Sequence, residues 1–228
     1  MKKYILSIDS GTTGVTLLLI DKNLNVVKKV YSELKQYYPK PGWVEHDPLE
    51  LIEKIRKLIS EITKEYNLED IASIGIANQR ETIVVWNKNT GKPLHNAIVW
   101  QCRRTKKYCD TLEKYKKTVF KKTGLYIDSY FSASKIKWIF DNTENIKKIS
   151  DQGNIYAGTI DTWIIWNLTN RKSHVTEYTN ASRTMLFNIN TKVWDKDLLG
   201  LFKIPKNILP EVKNSMDDFG TARINEFS

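Results

Sequence analysis

A short run of small and hydroxylated residues after an acidic one is the first place where this sequence could do chemistry. Residues 9–14 read DSGTTG and follow an apolar stretch. A carboxylate such as Asp9 can hold Mg²⁺ directly or through water. The backbone N–H groups and hydroxyls of a tight turn through Thr12, Thr13 and Gly14 can receive phosphate oxygens. An ordinary hairpin turn has the same composition, so the motif alone leaves both interpretations open.

Three further segments place polar or aromatic side chains beside apolar runs. Arg80 and Glu81 follow one such run, and they could grip a polyol because Arg donates several hydrogen bonds while Glu accepts from hydroxyls. Neighbouring strand residues point to opposite faces, so both can reach one ligand only if the backbone turns there; a surface ion pair is the alternative. Tyr130 could bond a hydroxyl and Trp100 could form an apolar wall, although packing in a core is the ordinary role of such rings.

The composition excludes several classes of protein. The chain has 228 residues, of which 41% are hydrophobic and 11% aromatic, enough for a sizeable core. This rules out a wholly disordered chain. No run of about 18 apolar residues occurs, so no membrane span is predicted. The first apolar stretch meets Asp9 too early for a signal-peptide core, and a cytoplasmic protein is therefore expected.

Neither the cysteines nor the basic residues indicate a binding site of their own. Cys102 and Cys109 lack the further Cys or His residues of a zinc site, so free thiols are expected. The net charge is +10, which would suit nucleic acid or an anionic membrane. However, 29 of the 36 basic residues are Lys, and they are scattered rather than gathered in one stripe. Compositional bias explains the charge better, and no nucleic-acid partner is expected.

The elements that must position the polar motifs begin with three apolar strands. Residues 4–9, 15–20 and 26–34 are joined by turns too short for a crossover helix, which predicts an antiparallel meander. A Rossmann-type nucleotide-binding βαβ unit would need a helix after the first turn, and the pattern argues against it.

A helix and a buried strand lead to the Arg80–Glu81 pair. Asp47 suits the N-cap of the helix, Pro48 its first position, and Glu50 completes a capping box. The strand covers residues 71–77, and the pattern that follows indicates an α/β fold with an antiparallel edge. Further strands are predicted at 82–86, 96–100 and 155–158, and further helices at 108–119, 133–140, 160–168 and 195–202.

The order of the motifs closely resembles the N-terminal half of the glycerol kinases, which belong to the FGGY family of carbohydrate kinases. The matching stretches span nearly the whole chain, so residues 1–228 are expected to form one N-terminal, glycerol-binding domain with the C-terminal domain absent. The stretches are residues 9–13, 38–48, 78–82, 96–105, 161–163 and 178–188.

The resemblance implies the α/β, ribonuclease H-like fold of sugar kinases, actin and heat-shock ATPases, with a mixed sheet. It implies ATP-dependent phosphorylation of glycerol to glycerol 3-phosphate. In the family, the residues matching Thr12, Thr13 and Gly14 contact the nucleotide phosphates, and the acid matching Asp9 serves Mg²⁺.

The resemblance also implies a glycerol site. The family residues that match Arg80, Glu81 and Tyr130 hydrogen-bond the glycerol hydroxyls. The family tryptophan that matches Trp100 lines the carbon backbone of glycerol. The catalytic base is expected in the half that this sequence lacks.

Two departures from the family pattern bear on function. The family commonly has Gln at the position of Ser10 and Arg at that of Thr16, and losing the Arg would weaken nucleotide binding by about 1–3 kcal/mol. The second domain is missing, so the chain is expected to be incompetent without a complementary C-terminal domain or chain. A non-catalytic glycerol- and nucleotide-binding remnant or regulatory module is the alternative, and a homo-oligomer is possible for either.

Overall fold

The computed structural model describes residues 2–224, which contain two four-stranded sheets and the helices around them. The strands are β1 (Tyr4–Ser10), β2 (Gly14–Asp21), β3 (Val26–Glu33), β4 (Glu45–His46), β5 (Ile71–Asn78), β6 (Ile83–Asn87), β7 (Ala97–Ile98), β8 (Ile155–Thr159), β9 (Val175–Glu177), β10 (Phe187–Asn188), β11 (Val193–Trp194) and β12 (Glu211–Lys213). The helices are α1 (Pro48–Thr63), α2 (Lys106–Asp110), α3 (Lys116–Thr123), α4 (Ser132–Asn142), α5 (Ile146–Asp151), α6 (Ile160–Leu168), α7 (Tyr178–Ala181) and α8 (Lys196–Phe202).

The first sheet has the strand order β3-β2-β1-β5. Strands β1 to β3 form the antiparallel meander that the sequence predicts, and β5 joins the other edge of β1 in parallel. Buried apolar residues alternate along the strands and line one face of the sheet, among them Leu6, Leu17 and Val30. Parallel pairing brings the carboxyl ends of β1 and β5 to the same edge, where the polar segments 9–14 and 78–82 follow.

Helix α1 begins where the capping residues predict. Asp47 accepts a hydrogen bond from the backbone N–H of Leu49 at 2.8 Å, and Pro48 is the first helical residue. The apolar residues at helical spacing, such as Ile55 and Ile59, are buried and join the core of the first sheet. This helix therefore covers the apolar face of the meander.

The second sheet has the order β4-β7-β6-β8 and is antiparallel. Strand β6 is buried on both faces. Val84 and Trp86 pack into the core of the first sheet, whereas Ile83 and Val85 pack into a second core that α4 and α8 complete. The turn between β5 and β6 therefore crosses from one sheet to the other.

Helix α6 spans the residues that the sequence predicts. Eight of its nine residues are buried, and its Trp163 and Trp166 stack on each other at a ring-centroid distance of 5.6 Å. Both rings also contact Trp86 of β6, so the helix anchors the second sheet to the first core. Within residues 2–224, no helix combines the length and apolarity that crossing a membrane requires.

Two sequence predictions are wrong in extent. The helix predicted over residues 108–119 is interrupted, because after Asp110 the backbone N–H groups of Thr111 and Leu112 bond carbonyls three residues back, the tighter pattern of 3₁₀ turns. The region forms α2 and α3 instead. The strand predicted over residues 96–100 is limited to β7, because the chain turns where the carbonyl of Val99 accepts from the N–H of Cys102.

Candidate active site

Two turns at the carboxyl ends of β1 and β5 form the candidate site. In the parallel register, Asp9 lies beside Ala77 and Ser10 beside Asn78. The backbone N–H of Gln79 donates to the carbonyl of Ser10 at 2.8 Å, which ties the two turns together. The two polar segments that the sequence singles out are thus neighbours in space although they are distant in the chain.

The backbone turns at the Arg80–Glu81 pair. Glu81 has a φ of 63°, in the left-handed region that residues other than glycine rarely adopt. The N–H of Thr82 donates to the carbonyl of Arg80 at 2.8 Å and closes the turn. Arg80 is consequently exposed, whereas Glu81 is buried. The geometric condition for both side chains to reach one ligand is met.

A cavity of about 270 Å³ lies between the two turns. This is smaller than the pockets of roughly 300–1,000 Å³ that hold drug-sized ligands, so it suits a small molecule. Six of the residues that the sequence singles out for binding line it, contributed by four separate segments. The lining consists of Asp9, Gly11, Thr12, Asn78, Gln79, Arg80, Glu81, Trp100 and Tyr130.

Trp100 forms an apolar wall of the cavity and is fixed from several sides. Its indole N–H donates to the hydroxyl of Thr12 at 2.9 Å, and its backbone N–H donates to the hydroxyl of Thr82 at 3.2 Å. The ring of Tyr130 packs edge-on against it with 5.5 Å between centroids. Because the Thr12 hydroxyl accepts from the indole, its own proton remains available to another acceptor.

The carboxylate of Glu81 has a cationic partner that sequence reasoning missed. Nε of Arg183 donates to Oε1 of Glu81 at 2.6 Å, and the Glu81 side chain is only 2% exposed. A buried carboxylate requires such a partner. From the sequence alone, helix capping and loop fixation explain the polar segment around Arg183 equally well. Only the burial of Glu81, which the sequence does not show, could have indicated the pair.

Gln79 connects the two turns to strand β4. Its amide nitrogen donates to the carbonyl of Gly11 at 3.1 Å and to Nδ1 of His46 at 3.1 Å, and its oxygen accepts from Thr82 at 2.9 Å. Because the amide nitrogen of Gln79 only donates, Nδ1 of His46 accepts, which assigns a neutral imidazole its proton on Nε2. Burial lowers the pKa of His46 to about 4, which fits that state.

The remaining candidate nucleotide ligands lie outside the cavity. Thr13 is exposed, and Gly14 begins β2 beneath the ring of Tyr31, where a Cβ would come within 2.5 Å of ring atoms. Tyr31 stands in one cross-strand row with Thr16 and Asp9. The position where the family pattern has Arg is therefore directly beside Asp9.

The residues present fit one kind of metal ion. Among residues 2–224, no three acidic, histidine or cysteine side chains gather as a metal cluster. Asp9 offers a single exposed carboxylate at the cavity. One carboxylate suits a Mg²⁺ ion that keeps most of its water and arrives with phosphates, and it does not suit a metal site built from protein ligands alone.

Comparison with known proteins decides the family. Residues 4–227 match the FGGY family of carbohydrate kinases, N-terminal domain. The chain belongs to this family. The resemblance that the motifs indicate is thereby confirmed, and a kinase family of this type uses ATP as its phosphoryl donor.

The relatives of this FGGY chain are longer than the chain itself. It is 51% identical over 222 residues to glycerol kinase 2 of Thermotoga maritima, covering 96% of the chain and 45% of the relative. The structure of Plasmodium falciparum glycerol kinase with ADP matches with a TM-score of 0.92 and 38% identity, over 98% of this chain and 46% of that one. A xylulose kinase from Lactobacillus acidophilus gives a TM-score of 0.86 at 24% identity, over 98% and 44%.

These matches establish the fold of the FGGY chain and the share of its relatives that it covers. The α/β fold is the ribonuclease H-like fold of the sugar kinases, as the sequence predicts. The chain spans about half the length of the relatives that it matches.

Proposed function

We propose that this chain is the glycerol-binding half of an ATP-dependent glycerol kinase. The observation that carries the proposal is the cavity where Arg80, Glu81, Trp100 and Tyr130 meet. A cation, a buried carboxylate, a phenol and an indole suit a short polyol, which needs partners for its hydroxyls and an apolar wall for its carbon atoms. Identity also favours glycerol, because the two glycerol kinases share 51% and 38% with the chain and the xylulose kinase 24%.

In the proposed complex, Arg80 and Glu81 hydrogen-bond glycerol hydroxyls from the turn that ends β5. Tyr130 adds a phenol to the same set, and Trp100 packs against the carbon atoms. Arg183 holds one oxygen of the Glu81 carboxylate. The carboxylate is thereby fixed in orientation, and its second oxygen is left to accept from a hydroxyl.

The proposed phosphoryl donor is ATP with Mg²⁺. Asp9 is the residue that would hold the ion, and Thr12, Thr13 and Gly14 would contact the phosphates. The hydroxyl of Thr12 can donate to a phosphate oxygen because it already accepts from the indole beside it. When bound, Mg²⁺ would neutralise charge on the phosphates.

A complementary C-terminal domain or chain is proposed to supply the catalytic base. The carboxylate of Glu81 is already engaged by Arg183, which suits substrate binding better than proton abstraction. Phosphoryl transfer depends on positioning between two walls and on excluding water, and this chain provides one wall. The chain alone should therefore bind weakly and turn over little. The proposed compartment is the cytoplasm, where the buried free thiols of Cys102 and Cys109 stay reduced.

Reconstitution tests this function. The chain would be mixed with the C-terminal half of the Thermotoga maritima glycerol kinase 2, and ADP release would be followed with and without glycerol. We expect glycerol-dependent release from the mixture and little from either half alone. If the two halves associate and the mixture still shows no glycerol-dependent release of ADP, a catalytic role is contradicted.

Thr16 favours a second candidate function, a non-catalytic module that binds glycerol and nucleotide. The family pattern has a phosphate-contacting Arg at this position, and Thr carries no charge. Calorimetry with glycerol and ADP separates the candidates. Binding of glycerol without turnover in any reconstituted mixture supports the module.

A further inference from the structure

Lys135 is a buried cation that the proposed chemistry leaves unused. It lies in the first turn of α4, and its relative exposure is 0%. Lysine is almost never fully buried unless its ammonium group is partnered. Its Nζ donates to two acceptors, the carbonyl oxygen of Glu81 at 3.3 Å and the carbonyl oxygen of Tyr130.

The two acceptors belong to two residues of the candidate glycerol site. Glu81 comes from the turn after β5 and Tyr130 from the loop before α4, so a single ammonium group bridges the two segments. Ser132 adds a second donor, because its hydroxyl bonds the same Glu81 carbonyl at 3.0 Å. Both helix residues therefore hold the backbone carbonyl of Glu81, whereas Arg183 holds its carboxylate.

The backbone of Glu81 needs this support. Its φ of 63° lies in a sparsely populated region, and such a conformation persists only when the surrounding structure over-determines it. The direction of the Glu81 side chain follows from that conformation. Releasing the carbonyl would let the turn relax toward an ordinary strand, in which Arg80 and Glu81 point to opposite faces.

We propose that Lys135 is the positioning residue of the glycerol site, setting the Glu81 carboxylate and the Tyr130 ring in one arrangement through their backbone carbonyls. The proposal rests on the proposed function and names no contact between Lys135 and the substrate. The ionisable groups that bear on Lys135 are Glu81, Cys102, Cys109 and Asp128.

The geometry holds in either protonation state of the amine. Burial lowers the pKa of Lys135 to about 7, so both forms are present near neutrality. A neutral amine still has two N–H bonds, one for each carbonyl. The bridge is therefore expected to persist across the pH range in which the site works.

The test compares Lys135→Met with Lys137→Met. Lys137 lies two residues further along the same helix and pairs with Asp141 at the surface, so it matches the substitution without touching the site. Ser132→Ala is the milder second variant, because it removes a donor to the Glu81 carbonyl alone. Glycerol affinity and the backbone ¹³C′ signals of Glu81 and Tyr130 would be measured by NMR on the full chain.

We expect Lys135→Met to move both carbonyl signals and to weaken glycerol binding by about tenfold, as loss of hydrogen bonds from a charged group does. Ser132→Ala should move the Glu81 signal only, and Lys137→Met should move neither and change affinity by less than about twofold. Unmoved carbonyl signals, or wild-type affinity in Lys135→Met, overturn the inference.

Other outcomes remain informative. If the wild-type chain does not bind glycerol, the proposed function fails, while the carbonyl signals still decide whether Lys135 positions the two segments. If Lys135→Met does not fold, Lys135→Gln, which keeps a polar side chain at the position, replaces it. It should still move both carbonyl signals, and unmoved signals in that variant overturn the inference.

Discussion

Glu81 combines burial, a positive φ and an ion pair with Arg183. A strained backbone of this kind costs about 1–3 kcal/mol, and a buried carboxylate needs a partner to remain charged. Such costs are usually found where a side chain must face a ligand. The residue therefore supports the placement of the candidate site more strongly than its exposed neighbour Arg80 does.

Glu81→Gln tests the charge of that residue. The amide keeps the shape but loses the carboxylate that Arg183 holds, so we expect glycerol binding to weaken by about 1.5–3 kcal/mol, or roughly 10–150-fold. Glu53→Gln, at an exposed position of α1, is the matched control and should leave affinity unchanged. Equal effects of the two substitutions in a calorimetric titration would contradict the assignment.

Thr16→Arg tests the departure from the family pattern. Thr16 lies directly across from Asp9 in the first sheet, so an Arg there would restore a cation beside the proposed phosphate site. We expect ADP to bind about tenfold more tightly, as a charge-assisted hydrogen bond provides. Leu18→Arg adds the same charge further along the same face and should give little gain; an equal gain would assign the effect to net charge alone.

At the scale of elements, local signals were sufficient where a turn or cap specifies the structure. The meander follows from its short turns, and α1 follows from Asp47 and Pro48. The helix predicted over residues 108–119 is wrong in extent because the backbone tightens into 3₁₀ turns at Thr111 and Leu112, which the spacing of apolar residues does not indicate. The sequence did not indicate Arg183 and Lys135 because their shared partner Glu81 is distant in sequence and only the fold brings the three residues together.

Gln79→Ala tests the network that joins these elements. The amide of Gln79 bonds Gly11, His46 and Thr82, so its removal takes the donor from the Gly11 carbonyl and from buried Nδ1 of His46 and the acceptor from the Thr82 hydroxyl. We expect the free energy of unfolding to fall by about 2–4 kcal/mol in urea denaturation. Gln101→Ala, at an exposed position, should change it by less than about 0.5 kcal/mol. A small effect of Gln79→Ala would show that the turns are held by other contacts.

The whole molecule should lose stability in mild acid. Burial lowers the pKa of His46 and of His174 to about 4, below the value of about 6.5 in an unfolded chain. Each histidine contributes about 3 kcal/mol to the free energy of unfolding. This contribution is fully present above about pH 6.5 and is lost as pH falls through about 4. Asp161, with a pKa raised to about 6, opposes this, since its contribution is present below about pH 4 and lost as pH rises through 6.

Because the two histidines outweigh Asp161, the free energy of unfolding should fall as the pH drops from 6.5 to 4. Urea denaturation at pH 7 and pH 4.5 measures it. His174→Gln should flatten the dependence, whereas Gln101→Ala, which removes no titratable group from an exposed position, should not. Equal free energies of unfolding at the two pH values would contradict this account.

Two hydrophobic cores meet at β6, and the cavity lies at the edge where the turn before β6 passes between the sheets. In the proposed function the chain contributes one wall of the site, and it spans 45% of the length of the glycerol kinase 2 that it matches. The sequence singled out six of the residues that line the cavity. It could not predict their mutual geometry, which depends on contacts between both sheets.

Indole NMR signals test the central claim most directly. The chain has seven tryptophans, and Trp100 is the one whose ring lines the cavity. On titration with glycerol, we predict a saturable shift of the Trp100 indole N–H signal while the other six stay in place, and no comparable shift with ethylene glycol at the same concentration. A Trp100 signal that does not respond, or one that moves equally with ethylene glycol, would contradict a glycerol site at this wall.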